Sequence, residues 1–141
     1  MSGDVGGQPN SERIEIGVLE LYEEPAGIVR MVRRPGELEA DLPLEQLVVR
    51  IVDALETLSP GCDGFLLDLR AGTGRNDAGF ESMARDFNIR AALMFERIAW
   101  LVRSTVGTLQ AQRYARDFGV NIKAFHDEDA AIDWLRTGVV Y

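Results

Sequence analysis

A short apolar run near the middle of the chain, at residues 64–69, does most to limit the folds open to this sequence. It reads Gly-Phe-Leu-Leu-Asp-Leu, without the alternation of polar and apolar residues found in a strand that faces water on one side. Such a run is typical of a strand covered on both faces, in the middle of a sheet. The run therefore predicts an α/β fold whose sheet has helices packed against it.

The segment before this run has the period of an amphipathic helix. From Leu44 to Leu58, apolar residues recur at spacings of three and four and form one stripe. Pro43 fits the first helical position, and Ser-Pro-Gly after Leu58 ends the helix. Further upstream, residues 14–21 and 27–32 are predicted to be the two antiparallel strands of a hairpin.

Helices and strands alternate after the central run. The further elements predicted are a helix with the apolar stripe Phe80 to Met94, a strand at 98–102, a helix at 106–118, a strand at 120–125 and a last helix capped by Asp127. Short connections of this kind imply parallel strands joined by right-handed crossovers. The predicted fold class is α/β: a single-domain mixed sheet of about five strands, in which an N-terminal β-hairpin precedes alternating helices and mostly parallel strands.

Length and composition are those of one globular domain. The chain has 141 residues, and residues 1–12 contain three glycines, a proline and little to bury. We expect residues 1–12 to be a flexible tail and residues 13–141 to form the domain. Cys62 is the only cysteine, which excludes an internal disulfide. No apolar run approaches the ~20 residues of a membrane span.

The charge balance limits the partners expected of this chain. It carries 15 basic and 23 acidic residues, a formal net charge of -8. Nucleic-acid binding depends on neutralisation of phosphates by Lys and Arg, so no nucleic-acid partner is expected. Residues 1–10 have no apolar run that would make a signal peptide. We therefore expect a soluble, cytoplasmic protein.

Polar side chains follow the carboxyl ends of the predicted parallel strands. In open α/β sheets ligands bind at this edge, where helix N-termini and loop amides meet. Ordinary polar caps and turns are an equally good explanation of such residues. The candidate binding residues at this edge are Arg70, Thr73, Arg75, Asn76, Asp77, Arg103, Ser104, Thr105 and His126.

The glycine-rich loop at residues 71–79 does not match a nucleotide-binding motif. A P-loop requires Lys and then Ser or Thr directly after its last glycine, but Phe-Glu follows Gly79. A dinucleotide fingerprint would need a third glycine where Asp77 stands. The loop is better explained as a turn that leads into a helix with Asn76 or Asp77 as its N-cap. We predict no cofactor.

Nucleophilic catalysis would have to use His126, which is the only histidine. Ser104 or Thr105 could approach it from a neighbouring strand end, but neither lies in a nucleophile elbow. Cys62 is expected at the opposite edge of the sheet. The acids that follow His126 are explained by helix capping, so no metal site is expected either. We predict a protein without catalytic activity, and an enzyme that uses His126 is a third-ranked hypothesis.

Two stretches carry a family resemblance. Residues 68–80, Asp-Leu-Arg-Ala-Gly-Thr-Gly-Arg-Asn-Asp-Ala-Gly-Phe, and the element order resemble the STAS domain, the fold of the anti-sigma-factor antagonists typified by SpoIIAA. Residues 76–80 lie on the Asp-Ser-Ser-Gly-Leu motif of that family. The closing phrase at residues 125–135 is similar to the divergent SpoIIAA-like branch, which is often described as resembling CRAL-TRIO lipid-binding domains. The resemblance implies a STAS-like fold over about residues 14–137.

The resemblance also implies a role, although this sequence departs from the family motif at its two serine positions. The typical antagonists use a serine of the motif as a phosphoacceptor, but Asp77 and Ala78 occupy the two serine positions here. We therefore do not expect control by phosphorylation at this point. The resemblance implies a non-catalytic regulatory module that binds a protein partner through the loop and helix beginning at Arg70.

A second function remains open beside the first. A small apolar ligand or lipid could bind in a pocket between the sheet and the helices, as in CRAL-TRIO domains. Self-association into a homodimer also remains open, because the apolar end of the chain or an exposed edge strand could pair with a second copy. The residues expected to line the pocket are Met83, Phe87, Met94 and Phe95.

Overall fold

The structure is a computed structural model that describes residues 12–40, 42–72 and 77–139. The predicted tail therefore lies almost wholly outside the described residues. Within them, the elements are β1 (Arg13–Ile16), β2 (Leu19–Glu24), β3 (Ile28–Arg33), α1 (Leu44–Leu58), β4 (Gly64–Asp68), α2 (Ala78–Met94), β5 (Arg97–Leu101), α3 (Thr105–Phe118), β6 (Ile122–Phe125) and α4 (Glu128–Thr137).

The strands form one mixed sheet in the order β1-β2-β3-β4-β5-β6. β1, β2 and β3 pair antiparallel, and β3, β4, β5 and β6 pair parallel. The predicted fold class is confirmed, except that the described sheet has six strands where about five were predicted.

The additional strand comes from a tight turn inside the segment predicted as one strand, residues 14–21. Ile16 pairs with Leu19 across a two-residue loop. Gly17 opens that loop with a φ of 58°, a conformation that glycine adopts without steric cost. Ile16, Leu19 and Leu21 are all buried. Their apolar spacing continues through the turn, so the sequence looked like one uninterrupted strand.

The helices begin and end close to their predicted positions. Pro43 is the N-cap of α1, one residue before the first helical position that was predicted for it. Gly119 and Gly138 end α3 and α4 in the left-handed conformation typical of C-caps. The predicted last strand, residues 120–125, is shorter and begins at Ile122.

Helices cover both faces of the sheet. On one face, α1, α2 and α3 enclose the larger core, to which β4 contributes Phe65 and Leu67. On the other face, α4 packs its Trp134 and Leu135 against Leu66 of the same strand. All five residues of β4 are buried. This confirms the prediction that the central run is covered on both faces.

The parallel strands bring their carboxyl ends to one edge of the sheet. Asp68 is in register with Leu101, and Leu101 with Phe125. Cys62 precedes β4 and so lies at the opposite edge, as predicted. Burial, with a further contribution from Glu23, raises the pKa of its thiol to about 11. None of the described helices has the length and apolar character needed to cross a membrane.

Candidate functional site

The predicted site residues that the structure describes all follow the strand ends of this edge. Arg70 comes two residues after β4, Arg103 and Ser104 lie between β5 and α3, and His126 directly follows β6. Thr105 is the first residue of α3, and Asp77 directly precedes α2. Thr73, Arg75 and Asn76 lie outside the described residues.

Two of these residues are helix caps. The Asp77 carboxylate accepts a hydrogen bond from the backbone N–H of Phe80 at 3.2 Å. The Ser104 hydroxyl accepts one from the backbone N–H of Gly107 at 3.1 Å. Both contacts satisfy helix N–H groups that have no partner within the helix. Capping therefore accounts for Asp77 and Ser104 without any ligand.

His126 lies next to a hydroxyl other than the two predicted. Its Nε2 is 3.2 Å from the Thr108 Oγ1, one turn into α3. The Ser104 side-chain oxygen caps α3, and the hydroxyl that contacts the imidazole belongs to Thr108 and not to Thr105. The His126 side chain is exposed to solvent. The prediction that Ser104 or Thr105 would approach His126 is therefore replaced by a surface contact with Thr108.

A cavity of about 360 Å³ lies beneath the same edge, between the sheet and helices α1, α2 and α3. Met31, Leu67 and Trp100 form its floor on the sheet. Most of the lining is apolar, and exposed Arg103 and Ser104 lie at its outer end. The remaining lining residues are Leu19, Arg33, Leu38, Leu47, Ile51, Leu69, Arg70, Gly72, Phe80, Met83, Ala84, Phe87, Asn88, Val102, Val106, Gly107, Gln110 and Tyr114.

Two of the four residues predicted to line a pocket do so. Met83 and Phe87 line the cavity, but Met94 and Phe95 do not. α2 begins at the carboxyl edge of the sheet and ends at the opposite edge, so its last residues lie beyond the cavity floor. Phe95 instead stacks on Phe65 in the core, with ring centroids 5.1 Å apart.

Tyr114 presents its ring to the cavity and has its hydroxyl engaged elsewhere. The hydroxyl donates a hydrogen bond to Glu81, whose other oxygen accepts from Arg113. Burial, together with the neighbouring Glu81, raises the pKa of the Tyr114 hydroxyl to about 12. Burial alone would raise the pKa of Glu81, but the hydrogen bonds from Tyr114 and Arg113 lower it below its ordinary value. Tyr114 is therefore protonated at neutral pH.

Arg70 joins the outer end of the cavity to an ion cluster on the opposite face of the sheet. Its guanidinium is 2.8 Å from Asp68 Oδ2 and 3.1 Å from Glu128 Oε1. Buried Arg30, in the middle of β3, donates to Asp68 at 2.9 Å and to both oxygens of Glu128 at 3.0 and 3.1 Å. It also donates to Glu24 at 3.2 Å. These five residues form what we call the Arg30 cluster, which ties β2, β3 and β4 to the start of α4.

The charges in the Arg30 cluster stabilise one another. Burial alone would raise the pKa of the Asp68 carboxyl, but hydrogen bonds from Arg70 and Arg30 bring it below its ordinary value. The hydrogen bond from Arg30 outweighs burial and lowers the pKa of Glu128 as well. Burial disfavours the Arg30 charge, yet Glu128 and Asp68 leave the pKa of Arg30 raised overall. Arg30, Asp68 and Glu128 are therefore ionised at neutral pH.

This cluster was not predicted from the sequence. Of its members only Arg70 was predicted as a site residue, and Glu128 was explained by helix capping. The available signal was an arginine at the centre of an otherwise apolar strand, Gly-Ile-Val-Arg-Met-Val, because a charged residue is almost never fully buried without a partner.

Comparison with known proteins shows the fold. The chain resembles an uncharacterised protein of the DUF3478 family with a SpoIIAA-like fold from Shewanella loihica PV-4, at a TM-score of 0.60 and 16% sequence identity. The match covers 83% of this chain and 91% of the other. No family model and no curated protein matches the sequence. The chain therefore has a SpoIIAA-like fold, as the resemblance in its sequence implies.

Proposed function

We propose that this protein is a non-catalytic binding domain that holds a small, mainly apolar ligand in the cavity between the sheet and helices α1 to α3. The observation that carries the proposal is the cavity itself. Its volume of about 360 Å³ lies within the range of roughly 300–1,000 Å³ that small-molecule sites occupy. Its location, at the carboxyl ends of the parallel strands, is the usual place for a ligand in an open α/β sheet.

Packing energetics support the same function. Protein interiors contain few voids larger than a water molecule. Most of the lining here is apolar, and an apolar ligand that displaced water from it would gain free energy. A space this large is therefore better explained by a molecule that fills it than by imperfect packing.

The described residues that line the cavity offer contacts for binding. Neither His126 nor its neighbour Thr108 is among the residues that line the cavity. The charged groups at its outer end are arginines, of which Arg70 is held by Asp68 and Glu128. Loss of His126 should therefore leave ligand binding unchanged, and His126→Ala serves as a check on the hypothesis of an enzyme.

A cavity-filling variant tests the proposal. Ala84 lines the cavity from α2 and is 6% exposed, so Ala84→Leu would place a larger apolar side chain in the space. Calorimetric titration with butylbenzene should show saturable binding to the unaltered protein and at least tenfold weaker binding to the variant. Ala130→Leu, on the exposed side of α4, is the matched control and should bind as the unaltered protein does. No saturable binding to the unaltered protein would reject the proposal.

A protein partner at the same edge is the second candidate function. Val106 and Leu109, one turn apart at the start of α3, are 71% and 59% exposed, and Val106 also lines the cavity. Large apolar side chains exposed beside each other favour an interaction surface. The variant Val106→Asp/Leu109→Asp should lose any protein that the unaltered chain captures from its own cells. Leu93→Asp, at the 84% exposed Leu93 of α2, is the control and should retain it.

A further inference from the structure

The charged side chains that line the cavity all have the same sign. Among the described lining residues, the charged ones are Arg33, Arg70 and Arg103, and none is acidic. The whole chain has the opposite bias, with 23 acidic residues against 15 basic ones and a formal net charge of -8. Because binding sites and their ligands carry complementary charges, positive residues alone around a cavity of an acidic protein indicate a negatively charged ligand.

The three arginines differ in what already binds them. Arg70 forms ion pairs with Asp68 at 2.8 Å and with Glu128 at 3.1 Å. Arg33 donates hydrogen bonds to two backbone carbonyls of the loop that follows β3. Within the described part of the chain, by contrast, no hydrogen bond or ion pair engages the side chain of exposed Arg103. Arg103 is therefore the arginine that can turn towards a ligand.

Carboxylates at the same edge of the sheet are used elsewhere. Asp77 and Asp127 cap α2 and α4, with hydrogen bonds of 3.2 and 2.9 Å from backbone N–H groups. Glu128 accepts hydrogen bonds from both arginines of the Arg30 cluster. In the structure as described, none of these three acids forms an ion pair with Arg103. The positive charge of Arg103 therefore remains available at the outer end of the cavity.

Ser104 adds a hydrogen-bond donor next to Arg103. Its hydroxyl oxygen accepts the capping hydrogen bond from the backbone N–H of Gly107 at 3.1 Å. A serine hydroxyl can accept and donate at the same time, so the cap leaves its hydrogen available to an acceptor. A guanidinium group only donates. Together, Arg103 and Ser104 match a ligand group that accepts hydrogen bonds and carries a negative charge.

We propose that the ligand is an amphiphile with one carboxylate, which binds Arg103 and Ser104 at the outer end while the apolar body fills the cavity beneath. This inference rests on the proposed function and names the ligand class of the same cavity. The planar guanidinium of an arginine donates to both oxygens of a carboxylate. Arg103 compensates one negative charge, whereas the nearby Arg30 cluster, with three carboxylates and two arginines, would repel a second.

The size of the cavity determines which probes are suitable. If each non-hydrogen atom needs roughly the 30 Å³ that a water molecule occupies in the liquid, the cavity of about 360 Å³ holds about a dozen. The carboxylate probe of about that size is 4-butylbenzoate. Its amide, 4-butylbenzamide, has nearly the same shape without the charge, and butylbenzene lacks the polar group altogether.

The benzoate and its amide give opposite results with and without a cation in the site. A carboxylate loses more hydration than an amide and is repelled by the net charge of -8, so the amide should bind more tightly to an apolar cavity alone. If Arg103 binds the carboxylate, the benzoate should bind at least about fivefold more tightly than the amide, the upper end for an ion pair in contact with water. Calorimetric titration of the full chain at neutral pH and low ionic strength measures both affinities. Equal affinities, or a preference for the amide, would overturn the inference, and binding of butylbenzene would leave the proposed function intact.

A single variant tests whether Arg103 is the recognising residue. Arg103→Gln should abolish the preference for 4-butylbenzoate over its amide, while the affinity for butylbenzene changes little. Arg136→Gln, in the exposed last turn of α4, removes the same charge from the chain away from the cavity and should keep the preference. Thermal unfolding checks that both variants fold. A preference that persists in Arg103→Gln, or that is lost equally in the two variants, would show the inference to be wrong.

The remaining outcomes also decide the matter. Ala84→Leu should weaken 4-butylbenzoate as much as it weakens butylbenzene, whereas an unchanged benzoate affinity would place the anion outside the cavity and overturn the inference. If 4-butylphenyl phosphate binds more tightly than 4-butylbenzoate, the site favours a second negative charge, and the assignment of a carboxylate is wrong. If no probe binds, the proposed function fails together with it.

Discussion

Arg30 is a buried charged residue that depends on neighbouring carboxylates to compensate its charge. It lies in the middle of a buried strand, and its side chain is 9% exposed. A charge removed from water costs several kcal/mol unless ion pairs and hydrogen bonds compensate it. Arg30 has three carboxylates around it, from Asp68, Glu128 and Glu24. The cluster therefore maintains a charge that an isolated strand could not bury.

Removal of one buried carboxylate should reveal this dependence. Asp68→Asn keeps the shape of a side chain that is 8% exposed and removes its charge. We expect a loss of about 3 kcal/mol in the free energy of unfolding, the lower end of the range for broken buried pairs, since Glu128 and Glu24 remain. Urea unfolding followed by tryptophan fluorescence measures it. Asp86→Asn, in the exposed pair with Arg90, should cost less than about 0.5 kcal/mol. Equal losses at the two sites would contradict the role of burial.

A second residue carries backbone strain. Ala26, in the turn between β2 and β3, has a φ of 73°. For residues other than glycine this left-handed conformation costs roughly 1–2 kcal/mol. Ala26→Gly should raise the free energy of unfolding by about 0.5 kcal/mol, because the relief of strain exceeds the entropy that glycine loses. Urea unfolding detects this gain.

The same change from alanine to glycine should have the opposite effect on the free energy of unfolding at Ala130. Ala130 is exposed inside α4, where glycine is less favourable than alanine by about 1 kcal/mol. Ala130→Gly should therefore destabilise the protein. If both substitutions lowered stability by similar amounts, the strain assigned to Ala26 would be absent.

At the scale of the helix, N-terminal caps can be recognised from the sequence, because a capping side chain binds an N–H group only two or three residues away. Asp127 accepts a hydrogen bond from the backbone N–H of Ala130 at 2.9 Å. Asp127→Ala should lower the free energy of unfolding by about 1 kcal/mol, the usual effect of removing a cap. Chemical unfolding measures the change. Asp133→Ala, at an exposed position in the middle of the same helix, is the control. It also removes one negative charge but no cap, so it should lower the free energy of unfolding by less.

Elements whose limits are set locally were predictable, and those set by distant contacts were not. The period of α1 and the cap of α4 depend on residues within a few positions of one another. The hairpin between β1 and β2 was missed because apolar residues continue on both sides of Gly17. The partners of Arg30 were missed because Glu128 is 98 residues away in the chain, a distance at which pattern and spacing give no information.

At the scale of the whole molecule, topology predicted the edge of the site but not its interior. The order of strands and helices is sufficient to bring Arg70, Arg103 and His126 to one edge. The cavity beneath that edge depends on the depth at which α2 crosses the sheet, which decides that Phe87 lines it and Phe95 does not. The burial of Asn88 Oδ1 and Trp100 Nε1, two side-chain atoms without a hydrogen-bond partner, likewise depends on three-dimensional packing alone.

The response of the whole domain to acid follows from the Arg30 cluster. Asp68 and Glu128 have pKa values below their ordinary range in the folded protein. Unfolded aspartate and glutamate have pKa values of about 3.9 and 4.3. Between the folded and unfolded values the unfolded chain binds more protons, so acid favours unfolding. The stabilisation is complete above the unfolded values and is lost as the pH falls through them towards the folded ones.

Urea unfolding at pH 7, 5 and 3.5 tests this expectation. The free energy of unfolding should change little between pH 7 and 5 and fall between pH 5 and 3.5. In Asp68→Asn the fall should be smaller, because one of the depressed carboxyls is gone while Glu128 and Glu81 remain. Asp133→Asn is the comparison, since Asp133 is an exposed acid outside the cluster. An unchanged acid response in Asp68→Asn would mean that the arginines do not hold this carboxylate ionised, and the cluster would then contribute to the fold by packing alone.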